Sequence, residues 1–138
     1  MKATSKSQRF STQVFDRVKA RVQELGSQDE RNRKYKALCR RSGGTLRVMG
    51  LIQFLTFLEA KGQREPQHRD LLDDLRTSCK FLGLPTAAEN ADFVNKVRKL
   101  HLPRYMHMTR EVLRLLDWHK RLSEIMIEGH VDDYSEEE

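Results

Sequence analysis

Along most of the chain, apolar residues recur every three or four positions, with polar side chains filling the places between them. That period is the mark of helices with one buried face. The first run spans about Gln8 to Leu25, where Phe10, Val14, Val18, Val22 and Leu25 share a face. Gly26 ends it as the residue that closes a helix. Ser27-Gln28-Asp29-Glu30 has the spacing of a capping box, in which a hydroxyl takes a first-turn amide and a carboxylate reaches back to the cap residue. It predicts the start of a second helix. The apolar face of that helix is thin (Tyr35, Leu38, Cys39), and Arg31, Arg33, Lys34, Lys36, Arg40 and Arg41 cover the rest. Ser42-Gly43-Gly44 is expected to break it.

A third helix is predicted from about Thr45 to Ala60. Leu46, Met49, Leu51, Ile52, Phe54, Leu55, Phe57 and Leu58 surround much of its girth, which makes it the expected central helix. Gly50 in its middle reads as a point where a second helix approaches closely, and Phe54, Phe57 and Leu58 as core. Lys61 to Gln67 reads as a loop. A fourth helix follows to about Leu82 through Leu71, Leu72, Leu75 and Cys79, with Gly83 capping its end and Pro85 blocking continuation. Thr86-Ala87-Ala88-Glu89 has capping-box spacing again and opens a helix to about His101, buried through Phe93, Val94, Val97 and Leu100. Pro103 separates it from the last and longest helix, from Arg104 or Thr109 to about Glu128, closed by Gly129. Its apolar positions are Met108, Val112, Leu115, Leu116, Trp118, Leu122, Ile125 and Met126, with Tyr105 and Trp118 as anchors. Asp132 to Glu138 reads as a disordered acidic tail. The prediction is an all-α, single-domain compact bundle of about six helices over residues 1–131, followed by a tail over residues 132–138.

Composition agrees. A chain of 138 residues with only three prolines and few aromatics suits packed helices, and it is long enough for one core but not two. Charged residues make up 33% of it, and no stretch approaches the roughly 18 apolar residues that span a bilayer. The polar, basic Met1 to Phe10 lacks the apolar segment of a secretory signal, so a cytoplasmic location is the default expectation. Cys39 and Cys79 both fall in apolar helical patterns and are expected to be free and buried. The net charge of +6 is polarised: residues 1–64 carry fifteen Lys and Arg against five Asp and Glu, a balance of +10, whereas the remainder balances at −4. A basic half can attract phosphate backbones, or it can meet the acidic half of another copy.

Candidate chemistry is sparse. His68, His101, His107, His119 and His130 are scattered, and none pairs with another His or Cys at ligand spacing, so neither a metal nor another cofactor is expected. Asp73-Asp74 and Asp132-Asp133 are adjacent pairs whose side chains diverge by about 100° on a helix, and they read as solvated. No nucleophile motif and no phosphate-binding glycine pattern is present, which leaves no catalytic residues, no small-molecule substrate and no membrane partner. The cations of the second helix are the sharpest feature, since cations along one side of an element can track successive phosphates. The competing reading is a solvated, salt-bridged face; locally only Asp29 and Glu30 are available to pair with them. No aromatic is interleaved among these cations, which favours contact with backbone and shape over base readout.

Two segments carry a resemblance. Residues 35–61 hold Gly50-Leu51 followed by an apolar run that ends in Phe57-Leu58 and Lys61. Residues 105–121 hold Tyr105, Thr109, Glu111, a leucine-rich turn and Trp118-His119-Lys120-Arg121. Together they resemble the small all-α subunit of type III-B CRISPR RNA-guided effector complexes, the Cmr complex small-subunit family, over most of the chain. The resemblance implies an antiviral ribonucleoprotein in which several copies stack along the duplex of guide RNA and target RNA, beside a filament of backbone subunits. Base pairing then supplies sequence specificity, and cleavage belongs to other subunits. The chain departs from the family pattern in having Ser42-Gly43-Gly44 where a Pro is frequent and Met49 where an Asn is frequent. Lys34, Arg40, Arg41 and Arg47 are the first candidates for RNA contact, with Lys120 and Arg121 second. The alternative is a helical scaffold that self-associates through its basic and acidic halves without RNA.

Overall fold

In the computed structural model, which describes residues 4–129, the chain forms α1 (Lys6–Leu25), α2 (Glu30–Met49), α3 (Leu51–Lys61), α4 (Pro66–Phe81), α5 (Asn90–Arg98) and α6 (Leu102–Met126). No strand occurs among the described residues. His130 and the acidic segment Asp132 to Glu138 lie outside them. The helices α1, α2, α4 and α6 form a bundle, and α3 packs on α2, α4 and α5 beside it. Phe10, Val14 and Val18 from α1 meet Leu71, Leu72 and Leu75 from α4 and Val112, Leu115 and Leu116 from α6 in one continuous core. Contacts at both ends fix the directions. Lys6 ion-pairs with Glu111 while the Glu128 amide donates to the Ser27 carbonyl, so α1 and α6 run parallel. Lys36 meets Ile127 and Gly129 at one end of α2, and Ile52 just beyond the other end meets Tyr105, so α2 and α6 run antiparallel.

Several expected boundaries move, each for a physical reason. The second helix does not break at Ser42-Gly43-Gly44 but continues to Met49. Two glycines in a helix cost about 1 kcal/mol each, yet stopping there would leave Leu46, which is 1% exposed, outside the core. The Ser42 hydroxyl also donates to the Leu38 carbonyl at 2.6 Å, and Thr45 to the Arg41 carbonyl at 3.0 Å, back-bonds that fit a continuing helix. The break falls at Gly50, whose φ of 85° lies in the left-handed region. Gly50 is therefore a corner between α2 and α3, not a point of close approach, and a Cβ there would meet nothing within 4 Å. Close approach occurs at Gly62, where a Cβ would sit 2.9 Å from the Leu58 carbonyl oxygen and 3.1 Å from Arg69.

Neither expected capping box forms. Asp29, not Ser27, caps α2 by accepting from the Arg31 amide at 2.8 Å, and the Thr86 hydroxyl donates to the Arg76 carbonyl while α5 starts only at Asn90. The box that does form is Ser5 with Gln8 at the head of α1. Pro103 does not precede α6 but lies in its first turn, where its missing N–H is no loss. Leu102 leads that helix, and Ile127 beyond its end is buried while Ile125 stays 78% exposed. The central position is shared by α2, which packs on α1, α3, α4 and α6, and α4, which packs on α1, α2, α3 and α5, and is not held by the third helix. Phe54 and Leu58 are fully buried; Phe57, Tyr105 and Trp118 pack on the core partly buried. Tyr105 also serves the start of α3, because its hydroxyl accepts from the Ile52 amide at 3.0 Å and so supplies the cap that this helix lacks from its own sequence.

Within the bundle lies a polar network. Arg21 grips the Asp74 carboxylate through Nε (3.2 Å) and one terminal nitrogen (2.9 Å), and reaches Asp70 at 3.1 Å. Arg31 binds both oxygens of Asp70 at 2.8 and 2.6 Å. Tyr35 donates to Asp74 at 2.6 Å, so its oxygen accepts from His119 Nδ1 at 3.1 Å. That leaves His119 Nε2 buried without a partner. Asp74 is thus interior, not solvated as its adjacency to Asp73 implied. Burial, reinforced by Arg21 and Arg17, pushes the His119 imidazole down to about 3. Burial also lifts the Asp74 carboxyl to about 6 against the pull of Arg21.

This architecture makes two predictions. Gly44→Ala fills open space in a helix and should raise the urea midpoint, by about 0.5–1 kcal/mol of stability, whereas Gly50→Ala forces a side chain into the left-handed region and should lower it. The second concerns pH. His119 titrates from 6.5 in the unfolded chain to about 3 when folded, so its contribution is complete above pH 6.5 and is lost as pH falls toward 3. Asp74 acts in the opposite sense, its contribution being complete below pH 3.8 and lost as pH rises through about 6. Denaturation of the wild type and His119→Gln in parallel isolates the histidine: their stability difference should shrink by about 1 kcal/mol per unit of acidification below pH 6.5.

Candidate nucleic-acid interface

An α-helix turns about 100° per residue, so positions seven apart nearly eclipse. On α2 this places Arg40 and Arg47 on one stripe and Lys34 and Arg41 on a neighbouring stripe about 100° round the helix. Arg40 and Arg47 are exposed, while Lys34 and Arg41 are half-buried. The Arg47 guanidinium lies back over Gly43, where a Cβ would come within 3.6 Å of it. The continuity of α2 through its glycines is what aligns Arg47 with Arg40.

Two cations that the sequence placed on the same flank are withdrawn from it. Arg31 turns inward to Asp70, and Lys36 is buried, donating to the carbonyls of Ile127 and Gly129 at 2.7 Å each. It thereby holds the end of the last helix against α2. Arg33 packs against Gly129 with its Nε buried and unpartnered. Partners also arrive from other helices. Arg40 pairs with Glu124 of α6 at 2.7 Å, and Lys34 pairs along its own helix with Glu30 at 3.4 Å. Both pairs are solvent-exposed, where ion pairs are weak and exchangeable for phosphate.

The second-choice cations separate. Lys120 precedes Glu124 by one turn and so shares the side of α6 that faces Arg40. Arg121 instead pairs with Asp117 at 3.2 Å over the seam between α1 and α6. There Lys6, Ser7, Phe10, Arg114 and Trp118 join it around a cleft of about 370 Å³. Below that cleft, Glu111 is 4% exposed and is ringed by Lys6, His107 at 3.4 Å and Arg114 at 3.7 Å. The candidate cations of α2 are therefore joined by Lys120, and Arg121 stands apart from them.

The sequence reading missed Arg9, Arg17 and Lys80, which converge around Phe81 from two helices. Their spacing on α1, Arg9 and Arg17 eight apart on the polar face, was the available signal. Chemistry at other groups is suppressed by burial. It pushes the Cys79 thiol up to about 12, and with help from Asp74 it raises Cys39 as well. Both thiols are free and buried. Among the described residues, no three His, Cys, Asp or Glu lie together in a way that could hold a metal ion, and no helix is long and apolar enough to cross a membrane.

Comparison with known proteins fits this geometry. A Cmr subunit of a CRISPR system from Thermus thermophilus, Cmr5, is 27% identical over 124 residues, spanning 90% of this chain and 97% of that protein. The crystal structure of a CRISPR-associated Cmr5 family protein from the same organism matches with a TM-score of 0.72 at 26% identity, covering 91% of this chain and all of that one. The model of the CRISPR-associated Cas_Cmr5 family matches residues 6–126, almost the whole of the described bundle, and the chain accordingly belongs to that family.

Proposed function

We propose that this chain is a non-catalytic small subunit of a CRISPR type III-B effector ribonucleoprotein in antiviral defence, stacking in several copies and contacting guide and target RNA by backbone and shape. The observation that carries the reading is the cation array on α2, with Arg40 and Arg47 exposed on one stripe, Lys34 and Arg41 beside them, and Lys120 across the seam. Such an array engages phosphates by releasing counterions and is indifferent to base identity. Membership of the Cmr5 family and the likeness to a Cmr subunit support the assignment to the complex. Its partners are then the other subunits, including the backbone filament, along with copies of itself. A cytoplasmic location follows from that assignment. Catalysis is left to other subunits.

A second reading draws on a specific observation: Arg40 and Lys34 are already paired with Glu124 and Glu30. In that case the basic half meets the acidic half of another copy and RNA is not bound. The double variant Arg40→Glu with Arg41→Glu separates the two, provided that circular dichroism shows an unchanged helical fold. Under the RNA reading, anisotropy with a labelled RNA duplex should register a loss of roughly tenfold or more, and wild-type log affinity should fall with log salt whatever the sequence. For about five phosphates the slope should be about −3.5 on a single strand and about −4.5 on the duplex. Loss of self-association with unchanged RNA affinity would favour the scaffold. Incubation with RNA and divalent metal should give no turnover.

A further inference from the structure

We propose that the face shared by α1 and the end of α4 binds an unpaired stretch of RNA, stacking a base on Phe81 and holding the flanking phosphates with Arg9, Arg17 and Lys80. These residues differ from those proposed on α2, so either surface can fail without the other.

Phe81 is the last residue of α4 and is 61% exposed. It stands between two depressions that share it as a wall, one of about 240 Å³ bordered by Arg9 and Gln13, the other of about 690 Å³ bordered by Arg17 and Lys80. The guanidinium carbon of Arg17 lies 6.0 Å from the Phe81 ring centre and Lys80 Nζ lies 5.9 Å from it. Arg9, Gln13 and Arg17 follow each other at intervals of four along α1, one above the next. An aromatic surface set among cations on a shallow groove is how sequence-tolerant single-strand binders are built, because every base has a π-face and every nucleotide a phosphate.

Local charge separates this face from the α2 array. No Asp or Glu borders either depression, and among the described residues Arg9, Arg17 and Lys80 form no ion pair. On α2, by contrast, Lys34 and Arg40 each hold a carboxylate. Hydrogen-bonding capacity is also left over at the groove, since Gln13 Oε1 and Arg17 Nε are buried with no partner. An amide beside a stacking ring can accept from a base edge without selecting one base, because the amide can rotate. In a duplex the bases are already stacked on each other, so this face should discriminate in favour of single strands.

The test compares full-length wild type with Phe81→Leu, Phe81→Trp and Arg9→Gln with Arg17→Gln, using a short labelled oligouridylate and a blunt RNA duplex at low salt. Leu keeps the apolar bulk but has no π-face, and Phe81 is exposed enough that the melting temperature should hold. Phe81→Leu should weaken oligouridylate binding by roughly tenfold and leave duplex binding unchanged. Phe81→Trp should retain the affinity, and the double arginine variant should flatten the salt dependence for the single strand. Absence of single-strand binding by the wild type, an unchanged affinity for Phe81→Leu, or equal losses on both RNAs would overturn the proposal. Sedimentation in which Phe81→Leu loses self-association while keeping RNA affinity would also overturn it and assign the face to a protein partner. The Arg40→Glu, Arg41→Glu variant in the same assay reports on the α2 reading separately, through duplex binding.

Discussion

The grip of Arg21 on Asp74, extended by Arg31 on Asp70, sets the register of the bundle. Each charge is buried or half-buried, so each would be costly unpaired, and the geometry that satisfies all of them is narrow. Arg21 comes from α1, Arg31 and Tyr35 from α2, Asp70 and Asp74 from α4, and His119 from α6. Arg31 and Tyr35 are four apart, as are Asp70 and Asp74, so two successive turns of α2 engage two successive turns of α4 in parallel. Burial opposes the charge on Arg21, but Asp74 and Asp70 outweigh it and hold the guanidinium above its ordinary value. A slip of α2 by one residue would strand a carboxylate in the core. Apolar packing alone tolerates such slips better, because aliphatic contacts are not directional.

The same constraint decides what α2 shows to solvent. With Arg31 and Tyr35 turned inward, the helical period leaves Arg40 and Arg47 facing out. Two features extend the consequence. The helix persists through Gly43 and Gly44 because Leu46 must reach the core, and Lys36 fastens the carbonyls of Ile127 and Gly129 so that α6 lies along α2. A cationic sequence segment is thereby sorted into two classes, cations that hold the fold and cations that face outward. Among the outward ones, Arg40 and Lys34 have exposed carboxylates beside them, which tempers their field without removing it. The cations around Phe81 have none, although no run of basic sequence marks them. Surface potential here depends on how the acidic half of the chain is folded against the basic half.

Taken by itself, the sequence determined the all-α class, the number of helices and nearly every core residue. These are local properties: Phe10, Val14 and Val18 recur at helical spacing whatever they pack against, and the same holds for Leu71, Leu72 and Leu75 and for Val112, Leu115 and Leu116. The family was legible for a related reason, since Gly50-Leu51 and Trp118-His119-Lys120-Arg121 are contiguous signatures. Local reasoning went astray where two local signals competed and a distant contact settled the matter. Gly43-Gly44 and Gly50 could each have ended α2, and the burial of Leu46 chose Gly50. Ser27 and Thr86 each had capping-box spacing, yet each hydroxyl found its partner elsewhere, at Glu128 and at the Arg76 carbonyl. Only the tertiary structure decided which cations are structural, which carboxylates neutralise the others, and which aromatic ring joins them, because Arg31 with Asp70, Arg40 with Glu124 and Arg17 with Phe81 are brought together across 39 to 84 positions of sequence by the packing of the helices.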